Sequence, residues 1–368
     1  MGYPIMDIRK REDRIVRYFK KYLNKFVFNE FSAEFRSKIK AGDLMENVPI
    51  PLRKEELEAF AAGEGVSMQV IAENMTWVMG SDPHFKYTDA YVAIINKIYG
   101  KKACEGVLKE GRDAAEQGEM DNACIHFRAA LCMKPDFLDA MYSYARACRA
   151  MYMDSQNEEY VGRFKAEAFD YFELTTEIHP QFAQSYYYLG YAYLNMGLYV
   201  KAQRTWESFM EYSKNGKDRK EIRERLQQLE EPVQIEQGCN DIMSGRYQQG
   251  LALLEKFKTS RFKTWWPLFY YLGVAYEMTG QKDEAIANFK KVLTMNASHL
   301  ETMEELVAIY TQDGDEANVF KYQNKIRIIR AGMEEDQRAL AAETLAEDKK
   351  LQENEPEEQK AEVIEKIN

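Results

Sequence analysis

The pattern of apolar and polar positions predicts helices through most of this chain, most clearly in residues 183–213. Small and apolar side chains recur there at the three- and four-residue spacing of one helical face. Gly197 then permits a turn before a second face begins. The first face comprises Tyr186, Leu189, Gly190 and Tyr193, and the second comprises Ala202, Trp206 and Phe209. We expect two antiparallel helices that need stacked neighbours to bury these faces.

The same pattern occurs again further along the chain. The segments "YYYLGYAYLNMG" (186–197) and "FYYLGVAYEMTG" (269–280) are identical at seven of twelve positions. The shared residues are small or aromatic, which indicates a repeated packing unit rather than a repeated active site. The chain has 368 residues and is 45% hydrophobic, enough for a sizeable core, and its 24 Tyr against 9 Pro favour helices over a turn-rich β fold.

These units resemble the tetratricopeptide repeat (TPR) family, whose unit of about 34 residues is a helical hairpin with small and aromatic residues at fixed offsets. The copy at 266–299 carries Phe269, Leu272, Gly273, Tyr276, Gly280, Ala285 and Phe289, and the copy at 104–137 carries Gly111, Gly118, Ala123, Phe127, Ala130 and Pro135. Three copies depart from the pattern, and the copy at 300–330 does so by losing residues before "DEANVFKYQNKI". The second helix of the copy at 138–182 begins late, after the polar insertion "DSQNEEY", and "DRKEIRERLQQLEE" predicts an additional helix before the copy at 231–265.

The resemblance implies an all-α fold, a right-handed superhelical solenoid of TPR-like helical hairpins over residues 101–330. The units are expected near 104–137, 138–182, 183–216, 231–265, 266–299 and 300–330.

The two ends of the chain differ from the array and from each other in charge. Residues 1–100 predict a helical N-terminal region, basic at its start, as a separate domain or a cap on the array. Within it, "RIVRYFKKYLNKFVFNEF" (14–31) predicts an amphipathic helix that docks on the protein's own core or lies on a membrane surface. Residues 331–368 hold twelve acidic against five basic residues and predict a helix to about Asn354, followed by a frayed end.

Residues 57–75 allow an alternative, because their spacing resembles a degenerate helix-turn-helix. A transcription regulator with this motif ahead of TPR repeats is a known design. The would-be recognition helix, "MQVIAENMTWVMG", contains no Lys or Arg and offers little to phosphates or guanine edges. A buried helix hairpin is the favoured interpretation.

Residue patterns for catalysis or metal binding do not occur in the sequence. HExxH, GxSxG and GxxxxGK[ST] are absent, and the four histidines are scattered. We therefore predict no enzyme activity, no cofactor and no metal. The five cysteines form no CxxC pair, and no stretch has the length of a signal peptide or a membrane span, so we expect a cytoplasmic protein.

The resemblance implies that first-helix residues line a concave groove, basic toward its N-terminal part and aromatic toward its C-terminal part. Carried onto this sequence, the groove comprises Arg112, Tyr142, Arg146, Arg149, Gln184, Tyr187, Tyr191, Asn195, Tyr270 and Val274. Tyrosines that pack between helices are the alternative for each aromatic position. The Lys and Asn clamp of chaperone-binding members is absent.

The predicted function is a non-enzymatic scaffold or adaptor that binds a peptide segment of another protein in this groove. Its partner could also be its own acidic tail, and no membrane partner is expected. Nucleic acid is a disfavoured partner. A structural subunit that associates with itself is a further alternative.

Overall fold

The computed structural model describes residues 7–61, 66–100, 102–154 and 158–353. They belong to two compact units, the first comprising residues 7–192 and 205–219 and the second comprising residues 193–204 and 220–353. Helices dominate both units, which confirms the predicted all-α class. The domain boundaries expected at residues 100 and 330 stay predictions.

Short helices and a small sheet form the beginning of the first unit. The helices are α1 (Val16–Lys20), α2 (Ala33–Ser37), α3 (Lys54–Ala61), α4 (Met68–Ser81) and α5 (Thr88–Tyr99), and the strands are β1 (Phe26–Asn29) and β2 (Ile50–Arg53). The strands pair antiparallel, with Phe26 opposite Arg53 and Asn29 opposite Ile50. The proposed helix-turn-helix at 57–75 overlaps the end of α3 and the first part of α4, and its residues 62–65 lie outside the described part of the chain.

The apolar stripe at 14–31 does not form the single helix that its pattern predicts. The chain makes α1 and one 3-10 turn, then enters β1, because aromatic and β-branched residues there suit a strand paired with β2. Ile15 and Phe19 are completely buried, so the stripe docks on the core of its own unit. None of the described helices is long and apolar enough to cross a membrane.

Helical hairpins follow the small sheet. Their helices are α6 (Ala103–Glu116), α7 (Met120–Met133), α8 (Leu138–Asp154), α9 (Glu158–Ile178), α10 (Ala183–Asn195) and α11 (Tyr199–Tyr212). The helices α6 and α7 meet at Gly111, where an added Cβ would lie 2.6 Å from the Phe127 ring. The helices α8 and α9 are 17 and 21 residues long, so the polar insertion lengthens this hairpin.

The second unit continues the series of hairpins. Its helices are α12 (Gly216–Met243, which enters the unit at residue 220), α13 (Tyr247–Leu254), α14 (Trp266–Met278), α15 (Lys282–Met295), α16 (Leu300–Gln312) and α17 (Glu316–Glu353). The additional helix predicted before residue 231 is not separate, because α12 runs through Pro232 as one 28-residue helix. The last repeat helix and the acidic tail are likewise one 38-residue helix, α17. The frayed end predicted after it lies outside the described residues.

The residues shared by the two twelve-residue segments have matching structural roles. Gly197 and Gly280 end their hairpins' first helices with φ of 72° and 78°, a conformation that glycine adopts without steric cost. In the middle of α14, Gly273 lets α15 approach, since an added Cβ would lie 2.6 Å from the Phe289 ring. The glycines that recur in both segments are therefore the residues that the turn and the close helix contact require.

Candidate functional site

Two arginines and two tyrosines form a partly exposed cluster in the first unit. Tyr142, Arg146 and Arg149 lie on one face of α8 because they are spaced by four and three residues. The next hairpin adds Tyr188 from α10. We call Tyr142, Arg146, Arg149 and Tyr188 the arginine–tyrosine cluster.

Ring contacts hold the tyrosines of this cluster in place. The Tyr142 ring lies edge-on to Phe182, with 4.9 Å between centroids, and Tyr188 stacks on Phe172 at 5.3 Å. Burial, with Tyr188 close by, raises the pKa of Tyr142 well above its usual range. Its hydroxyl is therefore a neutral donor at physiological pH.

The guanidinium groups of the cluster lie over these rings. Arg149 Cζ is 5.3 Å from the Tyr188 ring centre, and Arg146 Cζ is 5.8 Å from Tyr142 and 6.0 Å from Tyr188. Within the described residues, neither arginine forms an ion pair with an acidic side chain. A guanidinium held over a ring keeps its N–H donors in a fixed plane, ready to bind a carboxylate.

Arg112 was expected in the same basic region, but it is engaged elsewhere. Its Nη2 lies 2.9 Å from Asp139 Oδ1, in a pair whose two side chains are about half exposed. The charge of Arg112 is thus already balanced, which distinguishes it from Arg146 and Arg149.

The predicted groove residues of α10 have different surroundings: some pack against neighbouring side chains, and one is exposed. Tyr191 lies 4.9 Å from the Trp206 ring, and Tyr187 lies 5.6 Å from Phe209, so both pack partly inside their own hairpin. Gln184 donates to Asp218 Oδ2 over 3.3 Å. Asn195, in the second unit, is exposed. The two tyrosines therefore contribute to hairpin packing whatever else they contact.

Tyr270 and Val274 lie half-buried on α14 in the second unit. The Tyr270 ring contacts His299 at 5.2 Å, and Val274 packs against the core on both sides of its hairpin. Burial, with the charges of Glu305 and Glu301, raises the pKa of Tyr270 to about 12. This surface is therefore acidic as well as aromatic.

Tyr188 is the cluster residue that the groove prediction omitted. The family pattern assigns groove positions to Tyr187 and Tyr191, on either side of it. Its partners come from α8 and α9, which are distant in sequence. The sequence did indicate a structural role for Tyr188, because the same residue recurs as Tyr271 in the second twelve-residue segment.

The helix-turn-helix alternative requires an accessible recognition helix, and α4 is mostly covered. Eight of its fourteen residues are buried. It packs against α7 at Gly80, where an added Cβ would lie 2.8 Å from the Ile125 carbonyl carbon. The favoured buried helix therefore agrees with the structure. In the part of the chain that the structure describes, no three acidic, His or Cys residues converge as a metal site.

Sequence comparison identifies the repeat. Two sequence profiles, both described as tetratricopeptide repeat, match residues 171–204 and 268–296. The first match spans the end of α9, all of α10 and the start of α11, and the second spans most of α14 and α15. No curated protein sequence matches this chain.

Solved structures similar to this chain include several TPR proteins. MamA is 15% identical and covers 62% of this chain and 93% of its own, with a TM-score of 0.24. A TPR protein from Thermus thermophilus is 13% identical, covers 65% and 99%, and has a TM-score of 0.29. YrrB is 14% identical, covers 64% and 98%, and has a TM-score of 0.29. The chain therefore contains tetratricopeptide repeats, at residues 171–204 and 268–296.

Proposed function

We propose that this protein is a non-enzymatic scaffold that binds an acidic segment of another protein at the arginine–tyrosine cluster. TPR repeats are interaction modules, which supports the scaffold role. The observation that carries the binding site is the pair of guanidinium groups over Tyr142 and Tyr188 without acidic partners among the described residues. Carboxylates with an apolar or aromatic neighbour would match both the donors and the rings.

Synthetic peptides test the proposal without knowledge of the natural partner. Fluorescence anisotropy would compare a set of peptides carrying Glu with Phe or Leu against the same peptides carrying Lys in place of Glu. We expect binding of the acidic set only. Replacing both arginines by Gln should weaken binding about tenfold or more, because each loses a charge-assisted contact.

Arg112→Gln is the matched control, since it removes one arginine that already has an acidic partner. It should leave peptide binding unchanged. Equal affinity for acidic and basic peptides, or an equal loss in the Arg112→Gln variant, contradicts the proposal.

The acidic tail is the proposed internal competitor for this site. The part of α17 that packs on its hairpin includes Tyr322 and Ile326, so ending the chain at residue 330 retains those contacts. We expect the shortened protein to bind acidic peptides more tightly than the full chain. Unchanged affinity would contradict competition by the tail, but it would not contradict the peptide site itself.

A cytoplasmic location is also part of the proposal. All five cysteines are free and buried, which is compatible with a reducing compartment. Fractionation of cells that express the full chain would test it.

A further inference from the structure

A cavity of about 600 Å³ lies in the first unit, where the 3-10 turn Lys21–Lys25 meets β2, α3, α4 and α7. Its walls include Lys25, Arg53 and Lys54, with Glu55 as the single acidic residue. Trp77 and Asn122 form another part of the lining. The volume is in the range of small-molecule sites, and the charged lining carries a formal charge of +2.

Arg53 is the residue that indicates a ligand. Its Nε is buried and has no hydrogen-bond partner, although 42% of the side chain is exposed and Nε forms a long ion pair with Glu56 Oε1 at 4.0 Å. Glu56 also accepts from the Arg53 backbone N–H at 2.8 Å and from Asn74 Nδ2 at 2.5 Å. A buried donor without an acceptor is unfavourable unless a ligand or water supplies one.

The two lysines add positive charge to the lining of the cavity. Lys25 lies 4.9 Å from the Tyr22 ring centre and 5.5 Å from that of Trp77, so its ammonium is held at the cavity wall. Lys54 is exposed. Across the described ranges, neither lysine has an ion pair.

We propose that this cavity binds the phosphate group of a small molecule, with Arg53, Lys25 and Lys54 as its donors. A phosphate monoester carries a charge between about −1.5 and −2 at pH 7 and three acceptor oxygens, which matches three cationic donors better than one carboxylate does. Trp77 and Asn122 could contact a ring attached to the phosphate. The site is independent of the arginine–tyrosine cluster and of the function proposed there.

Calorimetric titration of the full chain at low salt would use adenosine monophosphate, inorganic phosphate and adenosine as probes. We expect the two phosphate compounds to bind and adenosine to give no heat. Tighter binding of the monophosphate than of phosphate identifies a ring-bearing ester as the ligand class, and equal affinity identifies the phosphate alone. Absence of heat from all three probes at millimolar concentration overturns the proposal.

Variants locate the site. Lys25→Gln and Lys54→Gln change exposed side chains and should each weaken phosphate binding about tenfold. Arg53→Lys retains the charge but loses the Nε–H and should weaken it similarly, with circular dichroism as the folding control. Lys86→Gln removes an exposed charge of the same unit outside the cavity and should change nothing. If Lys86→Gln weakens phosphate binding equally, the binding is diffuse electrostatic attraction and the assignment of the site is overturned.

Discussion

The Trp206 indole of α11 lies directly against Gly190 of α10 and donates from Nε1 to the Tyr187 carbonyl oxygen over 3.2 Å. A Cβ on Gly190 would lie 2.6 Å from Trp206 Cε2 and closer still to Nε1. Trp206 is completely buried, so the indole has little room to withdraw. The close approach of the two helices at this point depends on the missing side chain.

We expect Gly190→Ala to destabilise the protein by about 1–3 kcal/mol, the usual cost of overpacking a core. The free energy of unfolding in urea measures the effect. Gly162→Ala on α9 is the matched control, because a Cβ there meets nothing within 4 Å. Since alanine favours a helix over glycine by about 1 kcal/mol, the control should be neutral or stabilising. Equal effects would show that helix propensity, not the indole contact, governs position 190.

The buried ion pair of Asp13 with Arg128 predicts a large loss of stability when it is broken. Arg128 is completely buried, donates to both carboxylate oxygens of Asp13 and also contacts the Tyr144 hydroxyl at 3.3 Å. Asp13→Ala leaves a buried charge without its partner, which costs about 3–5 kcal/mol. Chemical denaturation of the variant checks this value.

The exposed pair of Arg112 with Asp139 provides the comparison. Asp139→Ala should cost less than about 1 kcal/mol because solvent screens this pair. Similar losses in the two variants would contradict a special role for the buried pair.

His126 predicts a loss of stability at mildly acidic pH. Burial lowers the pKa of His126 to about 4 in the folded chain, from its usual 6.5. Between those values the unfolded chain binds the additional proton, so this residue's contribution to stability falls as pH falls from 6.5 toward 4. The loss at pH 4 is on the order of 3 kcal/mol.

Other groups titrate over the same range, so the informative quantity is the difference between wild type and His126→Gln. Unfolding free energies at several pH values should show a difference that changes with pH between 4 and 6.5. A difference that stays constant over this pH range would refute the prediction.

Tyr188 predicts a specific contribution to peptide binding. Tyr188→Leu removes the ring that holds Arg149, and we expect acidic peptides to bind about three- to tenfold more weakly. Tyr188→Phe should retain most of the affinity, because the ring remains. Tyr271→Leu, the equivalent change in the second unit, should have no effect on this binding in an anisotropy titration. Weaker peptide binding in both leucine variants would indicate a general structural effect rather than a role of Tyr188 in the site.

Much of the local architecture could be predicted from the residues alone. Helix pairs follow from apolar positions at three- and four-residue spacing, and turns follow from glycines such as Gly197 and Gly280, whose positive φ is a local backbone property. Close helix contacts were also readable, because Gly190 and Gly273 recur at the same offset before large partners. These patterns involve residues within about one repeat of each other. Residues that are so near in sequence are also near in space.

The pairing of β1 with β2 and the buried Asp13 of the N-terminal segment could not be predicted, because their partners are remote in sequence. The same limit applies to the candidate sites. The resemblance to the tetratricopeptide repeat family indicated Tyr142, Arg146 and Arg149, whereas Tyr188 was added by the packing of α8, α9 and α10. The sequence by itself determined which segments become helices and where they turn, since backbone preference and periodicity act over a few residues. Only the tertiary structure decided which charges remain unpaired, because a guanidinium's partner depends on which distant carboxylates the packed helices bring within reach.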